Sequence, residues 1–85
     1  MHEYAITKEL LRNAREAAKD RGLEYVKKIY LDLGLMTGYE KESILYYFNE
    51  LKIGGDYIKD AELIVNEVPT KGIKITKIIG EKNGS

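Results

Sequence analysis

The spacing of apolar residues changes at Gly22, and this change limits the folds that the sequence can adopt. Before Gly22 the apolar residues recur at steps of three and four, which predicts an amphipathic helix over residues 6–21. After it they alternate, which predicts a half-buried strand over residues 23–33. Glycine at the boundary suits a left-handed helix end. The helical set consists of Ile6, Leu10, Leu11, Ala14, Ala17 and Ala18.

In the predicted first strand, Ile29, Leu31 and Leu33 share one face. Val26 has the wrong parity for that face, so we expect a β-bulge near the start of the strand. Because the apolar face of such a strand must be buried, other elements have to cover it.

A second helix is predicted after the loop bracketed by Gly34 and Gly38. Thr37 stands three residues before Glu40, the spacing of a capping box, and Gly54-Gly55 would end the helix. Its expected buried stripe is Ile44, Tyr47, Phe48 and Leu51.

Two further strands are predicted towards the end of the chain. Residues 61–68 predict one strand, with an apolar run at Leu63, Ile64 and Val65, and Pro69 ends it. Ile73, Ile75 and Ile79 form another alternating run, and the four residues 69–72 between the runs predict a hairpin.

The predicted fold class is α+β, with the order α-β-α-β-β and two helices packed on one face of a mixed three-stranded sheet. With 85 residues the chain is too short for a second core, so we expect a single domain over residues 1–80 and a flexible polar tail over residues 81–85.

Charge and composition exclude several functional classes. Fourteen basic and fourteen acidic residues balance, which argues against a nucleic-acid partner. No apolar run is long enough to span a membrane and the polar N-terminus does not resemble a signal peptide, so we expect a cytoplasmic protein. With one histidine and no cysteine, the sequence does not predict an enzyme.

The single histidine, His2, is the strongest candidate for chemistry. The Met1 amine, the deprotonated His2 amide and the His2 ring can close two fused chelate rings in one plane, which suits Ni(II) or Cu(II). Glu3 could add a carboxylate or its backbone amide, and Glu40 could reach the site or hydrogen-bond the imidazole.

Simpler explanations exist for the same residues. His2 could be a solvated end residue, and Glu40 could serve the capping box alone. The seven tyrosines could stack on nucleic-acid bases, but core filling and ring packing at the surface are favoured because no basic stripe accompanies them.

Several segments resemble the nickel-binding domain of the HypA family, the metallochaperones of nickel-iron hydrogenase maturation and sometimes of urease maturation. The segments are Met1-His2-Glu3, residues 26–34 (VKKIYLDLG), residues 42–51 (ESILYYFNEL) and residues 60–69 (DAELIVNEVP). Together with the first helix the resemblance covers about 70 of the 85 residues, in the right order and spacing.

The resemblance implies that His2 is the primary nickel ligand, that the Met1 amine is a further donor and that Glu3 contributes through its backbone and side chain. Glu40 is implied as a neighbour of the ligands. The implied partners are the GTPase accessory protein HypB and the hydrogenase large subunit. Family members also insert a zinc module with Cys-x-x-Cys pairs before the last strand, where this chain has only residues 69–72. Without cysteines no zinc is expected, and the alternative function is a metal-independent protein-interaction module with the HypA fold.

Overall fold

The computed structural model describes residues 2–55 and 57–82, and within these ranges the chain forms two helices and a mixed three-stranded sheet. The elements are α1 (Glu3–Asp20), β1 (Leu23–Gly34), α2 (Lys41–Leu51), β2 (Glu62–Val68) and β3 (Ile73–Lys82). Short 3-10 turns follow β1 and α2. The element order and the packing of both helices on the sheet confirm the predicted fold class.

Helix α1 ends where the sequence predicts, but it begins earlier. Gly22 has a φ of 71°, the left-handed conformation that glycine adopts without steric cost. At the other end the helix starts at Glu3, three residues before the first apolar position of the periodic pattern. Because the first turn contains polar residues, the spacing of apolar residues does not reveal this start.

Strand β1 lies in the centre of the sheet and carries the expected bulge. Val26 is 2% exposed, and its pairing with β3 shifts between Val26 and Lys28. The extra residue, Lys27, restores the parity that places Val26 and Ile29 in the same core. The bulge prediction is confirmed.

The predicted hairpin between the last two strands is wrong. The sheet order is β2-β1-β3, with β1 parallel to β2 and antiparallel to β3. Neighbouring strands are about 4.8 Å apart, so residues 69–72 are long enough to cross the end of β1. The crossing is held by hydrogen bonds from the Gly34 N–H to the Gly72 carbonyl at 2.8 Å and from the Met36 N–H to the Thr70 carbonyl at 3.1 Å.

Strand β3 also differs from its simple alternating pattern. A register shift opposite Tyr30 and Leu31 leaves Thr76 between two paired residues, with no residue of β1 directly opposite it. Ile78 rather than Ile79 then enters the core, at 6% exposure. The expectation that Ile79 continues the inward face is therefore wrong.

The end of β3 lies beyond the predicted domain boundary. The strand continues to Lys82, and Glu81 pairs with Tyr25 and forms a 2.8 Å ion pair with Lys27. Residues 81 and 82 therefore belong to the sheet, because strand pairing reaches past the last apolar residue. The rest of the predicted tail, residues 83–85, lies outside the described residues.

The predicted capping box at the start of α2 does not form. The Thr37 hydroxyl donates to the Gly34 carbonyl at 2.8 Å and accepts from the Tyr39 N–H at 3.2 Å. Gly38, with a φ of 81°, reverses the chain between this turn and the helix. As a result Glu40, not Thr37, becomes the N-cap residue of α2.

The core lies between the helices and one face of the sheet. From α2, Ile44 and Phe48 are buried while Tyr47 and Leu51 are half-buried, so the predicted stripe is present with two of its four members partly exposed. Among the described residues, no helix is long and apolar enough to cross a membrane.

Candidate metal centre

His2 is the N-cap residue of α1. Its carbonyl accepts the first bond of the helix, from the Ile6 N–H at 3.1 Å, while its imidazole makes no capping hydrogen bond and is exposed. The backbone of His2 is therefore fixed by the helix, and its ring is accessible to a metal ion from solvent.

The backbone amides at this helix end suit a bound metal. The first N–H groups of an α-helix have no acceptor within the helix, so deprotonating the amide of His2, or using that of Glu3, breaks no helical hydrogen bond. The positive end of the helix dipole also favours the negative charge that a deprotonated amide carries. The same dipole disfavours a metal cation that is held through neutral donors alone.

Glu3 has a side chain that is committed to the fold. Although it is charged, Glu3 is only 5% exposed, and its Oε2 accepts a hydrogen bond from the Glu40 N–H at 3.0 Å. The pKa of Glu3 is lowered to about 2, first by a hydrogen bond from the chain's amino terminus and next by the Glu40 N–H. The carboxylate is thus ionised and joins the start of α1 to the start of α2.

Glu40 is brought to the predicted site through its backbone. Its N–H bonds Glu3, whereas its side chain is exposed at the beginning of α2. The sequence prediction placed Glu40 near the ligands by its side chain, and the structure adds a backbone contact that residue type alone does not indicate.

Two neighbouring features were not predicted as parts of this region. The Thr7 hydroxyl, buried at 1% exposure, donates to the Glu3 carbonyl at 2.5 Å. The rings of Tyr4 and Tyr47 meet edge to face with centroids 5.4 Å apart, and Tyr46 packs on Tyr47 in the same way at 5.3 Å. These pairs confirm that tyrosines pack against one another at the surface.

The remaining predicted ligand, Met1, lies outside the described residues. Over residues 2–55 and 57–82, no three His, Cys, Asp or Glu side chains converge as a metal cluster. A nickel site here would therefore depend on backbone donors as well as on the His2 ring. The fold and these residues define a small α+β domain with a candidate metal site at the amino terminus.

Comparisons with known proteins identify the family. A family model described as hydrogenase/urease nickel incorporation, metallochaperone, hypA matches residues 1–73. The hydrogenase maturation factor HypA of Moorella thermoacetica is 34% identical over 82 residues, which cover 96% of this chain and 71% of that protein. The chain belongs to the HypA family of nickel metallochaperones for hydrogenase maturation, as the sequence resemblance implied.

Other relatives are longer than this chain. HypA of Chloroflexus aggregans is 32% identical over 69 residues, and HypA of Methanosarcina barkeri is 33% identical over 69 residues. Both matches cover 81% of this chain, but only 60% and 51% of those two proteins. Activities and partners of the whole relatives therefore do not transfer directly to this chain.

Solved structures support the fold. The solution structure of the nickel metallochaperone HypA from Helicobacter pylori matches with a TM-score of 0.86 over 98% of this chain and all of that chain, at 14% identity. A second solution structure of a HypA protein matches with a TM-score of 0.75 over 94% of this chain and 96% of that chain, at 15% identity. At these identities the likeness concerns the fold alone.

Proposed function

We propose that this chain binds Ni(II) as cargo at its amino terminus and carries it during maturation of nickel-iron hydrogenase. The observation that supports the proposal best is the position of His2, which presents an exposed ring at the N-cap of α1 while the helix fixes its backbone. Membership of a nickel metallochaperone family makes nickel the expected metal.

Each donor has a distinct role in the proposed site. The Met1 amine, the His2 amide and the His2 ring supply three nitrogens in one plane, the arrangement that square-planar Ni(II) prefers. Because the Glu3 carboxylate is engaged by the Glu40 N–H, Glu3 contributes through its backbone amide. Glu40 acts behind the ligands by holding Glu3 in place.

The proposed partners are the GTPase accessory protein HypB and the hydrogenase large subunit, in the cytoplasm. A site made of a few contiguous donors at a chain end suits a carrier, because such a site can release its metal to an acceptor. The chain has no cysteine, so this proposal includes no zinc and no transfer of signals from a zinc module.

Nickel titration of the untagged chain tests the proposal, with Met1 confirmed by mass. Calorimetry should give one nickel per chain, and visible spectra should show a square-planar d-d band. His2→Ala should lose both. Asn13→Ala, a change on the exposed face of α1, is the matched control and should retain both.

A chain whose Met1 amine is acetylated isolates the role of the amine. It keeps His2 and the fold but removes the amine as a donor, so the planar band should disappear. Stoichiometric nickel binding by His2→Ala would contradict the proposed site. An absence of nickel binding together with metal-free capture of HypB would instead support the interaction module.

A further inference from the structure

The exposed charges of α1 form two separate rows. At about 100° per residue, four basic side chains fall within about 60° of one another around the helix, and three acidic ones lie about 90° further round. The sequence contains no run of these basic residues, because only the helical period brings them together. Since acidic and basic residues balance over the whole chain, the basic row is a local excess of positive charge. The basic row consists of Lys8, Arg12, Arg15 and Lys19, and the acidic row of Glu9, Glu16 and Asp20.

The basic row borders a groove between α1 and the end of α2. Tyr4 lies within about 50° of the middle of the row and packs on Tyr47 of α2, so the row is on the side of α1 that faces α2. In the described part of the chain, no acidic side chain lines the groove, and its apolar members are half-buried. The lining side chains are Lys8, Leu11, Arg12, Arg15, Leu51 and Tyr57. The groove thus combines positive charge with apolar surface.

Two of these cations are held over aromatic rings. The Lys8 Nζ lies 5.7 Å from the centre of the Tyr4 ring, and the Arg15 guanidinium carbon lies 5.6 Å from the centre of the Tyr57 ring. Such contacts restrict both side chains before a partner arrives. Less conformational entropy is then lost when the cations meet a partner's charge.

The size of the groove indicates a chain segment as its occupant. The groove has a volume of about 240 Å³, below the roughly 300–1,000 Å³ of pockets that enclose a small molecule. From Lys8 to Lys19 the basic row runs about 16 Å along α1. An elongated partner can contact the whole row, whereas a compact ligand cannot.

We propose that this groove binds an acidic amphipathic helix of a partner protein. Apolar side chains of that helix lie on Leu11 and Leu51, and its carboxylates lie beside the basic row. The basic residues of the row are separated by four, three and four positions. Acidic residues at the same steps on a helix that runs alongside α1 have the same spacing, so each carboxylate meets one cation.

Two other occupants fit these observations less well. Nucleic acids need aromatic ring faces for base stacking, but Lys8 covers a face of Tyr4 and Arg15 covers a face of Tyr57. A second copy of this chain would have to present the acidic row of its own α1. Because the two rows are different surfaces, that contact is heterologous and does not form a closed two-fold dimer.

Amide NMR of the metal-free chain tests the proposal, since the groove includes none of the proposed nickel donors. The probe is a synthetic helical peptide of about 20 residues, with a leucine stripe flanked by glutamates at steps of three and four. In the control peptide glutamines replace the glutamates. The glutamate peptide should shift the amide signals of Leu11, Leu51 and Tyr57 and bind at least about ten times more tightly at low salt. Equal affinities, shifts confined to other residues, or no shifts at about 1 mM peptide would overturn the proposal.

A pair of double variants separates the groove from net charge. Lys8→Gln with Arg15→Gln removes two cations of the groove, and Arg12 is left in place because it already pairs with Glu9. This variant should bind the glutamate peptide at least about five times more weakly. Lys74→Gln with Lys77→Gln makes the same change in net charge at exposed positions of β3 and should alter the affinity by less than about twofold. Equal weakening by the two variants would contradict a site in the groove.

The same spectra decide between occupants. A single-stranded RNA oligonucleotide should leave the signals of Leu11 and Leu51 in place, and tighter binding of this RNA than of the glutamate peptide would overturn the assignment. The sedimentation coefficient of the unsubstituted chain should match that of Lys8→Gln with Arg15→Gln. Self-association that this variant abolishes would assign the groove to a second copy instead.

Discussion

The carboxylate of Glu3 accepts a hydrogen bond from the backbone N–H of Glu40, which lies 37 residues further along the chain. This bond replaces the local capping box that the sequence suggested for α2, and it joins the N-terminal ends of the two helices. It also fixes the residue that follows His2, so in the folded chain Glu3 is held where α1 and α2 begin.

The Glu3 carboxylate predicts a pH-dependent stability difference, because hydrogen bonds from the chain's amino terminus and from the Glu40 N–H favour its ionised form. The pKa of this carboxyl falls from 4.5 to about 2 on folding, so its ionised form stabilises the fold fully above pH 4.5, and this contribution is lost as the pH falls towards 2. Glu3→Gln should therefore have a lower urea midpoint than the unsubstituted chain at pH 7. The gap should shrink between pH 4.5 and pH 2.

Urea unfolding at several pH values checks this expectation. Glu42→Gln removes a carboxylate from the exposed first turn of α2 and serves as the control. A gap between Glu3→Gln and the unsubstituted chain that stays constant down to about pH 2 would show that the Glu3 charge is not what stabilises the fold.

Residues 69–72 cross the end of β1 close to Gly34, so we expect that Gly34 tolerates no side chain. A Cβ at this position would overlap the carbonyl oxygens of Thr70 and Gly72, both of which belong to backbone. Gly34→Ala should lower the free energy of unfolding by about 2 kcal/mol or more. The added methyl group forces residues 69–72 to move, and this strains the hydrogen bond from the Gly34 N–H to the Gly72 carbonyl.

Gly54→Ala is the matched control for Gly34→Ala. A Cβ at Gly54 would meet open space, and its φ is not positive. This change should leave stability within about 0.5 kcal/mol or raise it slightly. Similar unfolding midpoints for the two variants would contradict the crossing of the link over β1.

The bulge in β3 predicts unequal roles for adjacent isoleucines. Ile78 is in the core, while Ile79 is half-buried on the other face of the sheet. Ile78→Ala should cost about 2–4 kcal/mol because it leaves a cavity, and Ile79→Ala should cost less than about 1 kcal/mol. Chemical denaturation of both variants measures the difference, and a larger loss at Ile79 would refute the observed register.

The fold was predictable from sequence wherever a local pattern determined it. Val26 has the wrong parity for the inward face of β1. A bulge corrects such a mismatch locally, so the position of the bulge could be predicted from the sequence. The neighbours of β2 were not predictable in the same way. Four linking residues can close a hairpin or cross a strand, and hydrogen bonds from β1 to the link decide between the two.

The candidate site likewise has one part that the sequence predicts and one part that depends on long-range packing. His2 and Met1 are adjacent in the chain, so their ability to chelate a metal can be read from sequence alone. The contact between Glu3 and Glu40 depends on how α1 packs against α2, and residue spacing carries no signal for it. The spacing of Thr37 and Glu40 pointed to a local cap instead, because short-range motifs do not reveal a competing acceptor from a distant helix.

The proposed nickel site makes a last prediction about stability. A ligand that binds only the folded chain raises the free energy of unfolding by about 2.7 kcal/mol at 100 times its dissociation constant. The proposed donors of Met1, His2 and Glu3 are contiguous, so they can also chelate Ni(II) in the unfolded chain, and binding to both states cancels most of the gain. We therefore expect nickel to raise the free energy of unfolding by less than about 1 kcal/mol under these conditions, and His2→Ala to show no change with nickel. Urea unfolding with and without nickel measures the effect. A gain near the full value would show that a donor available only in the fold, such as the exposed carboxylate of Glu40, completes the site.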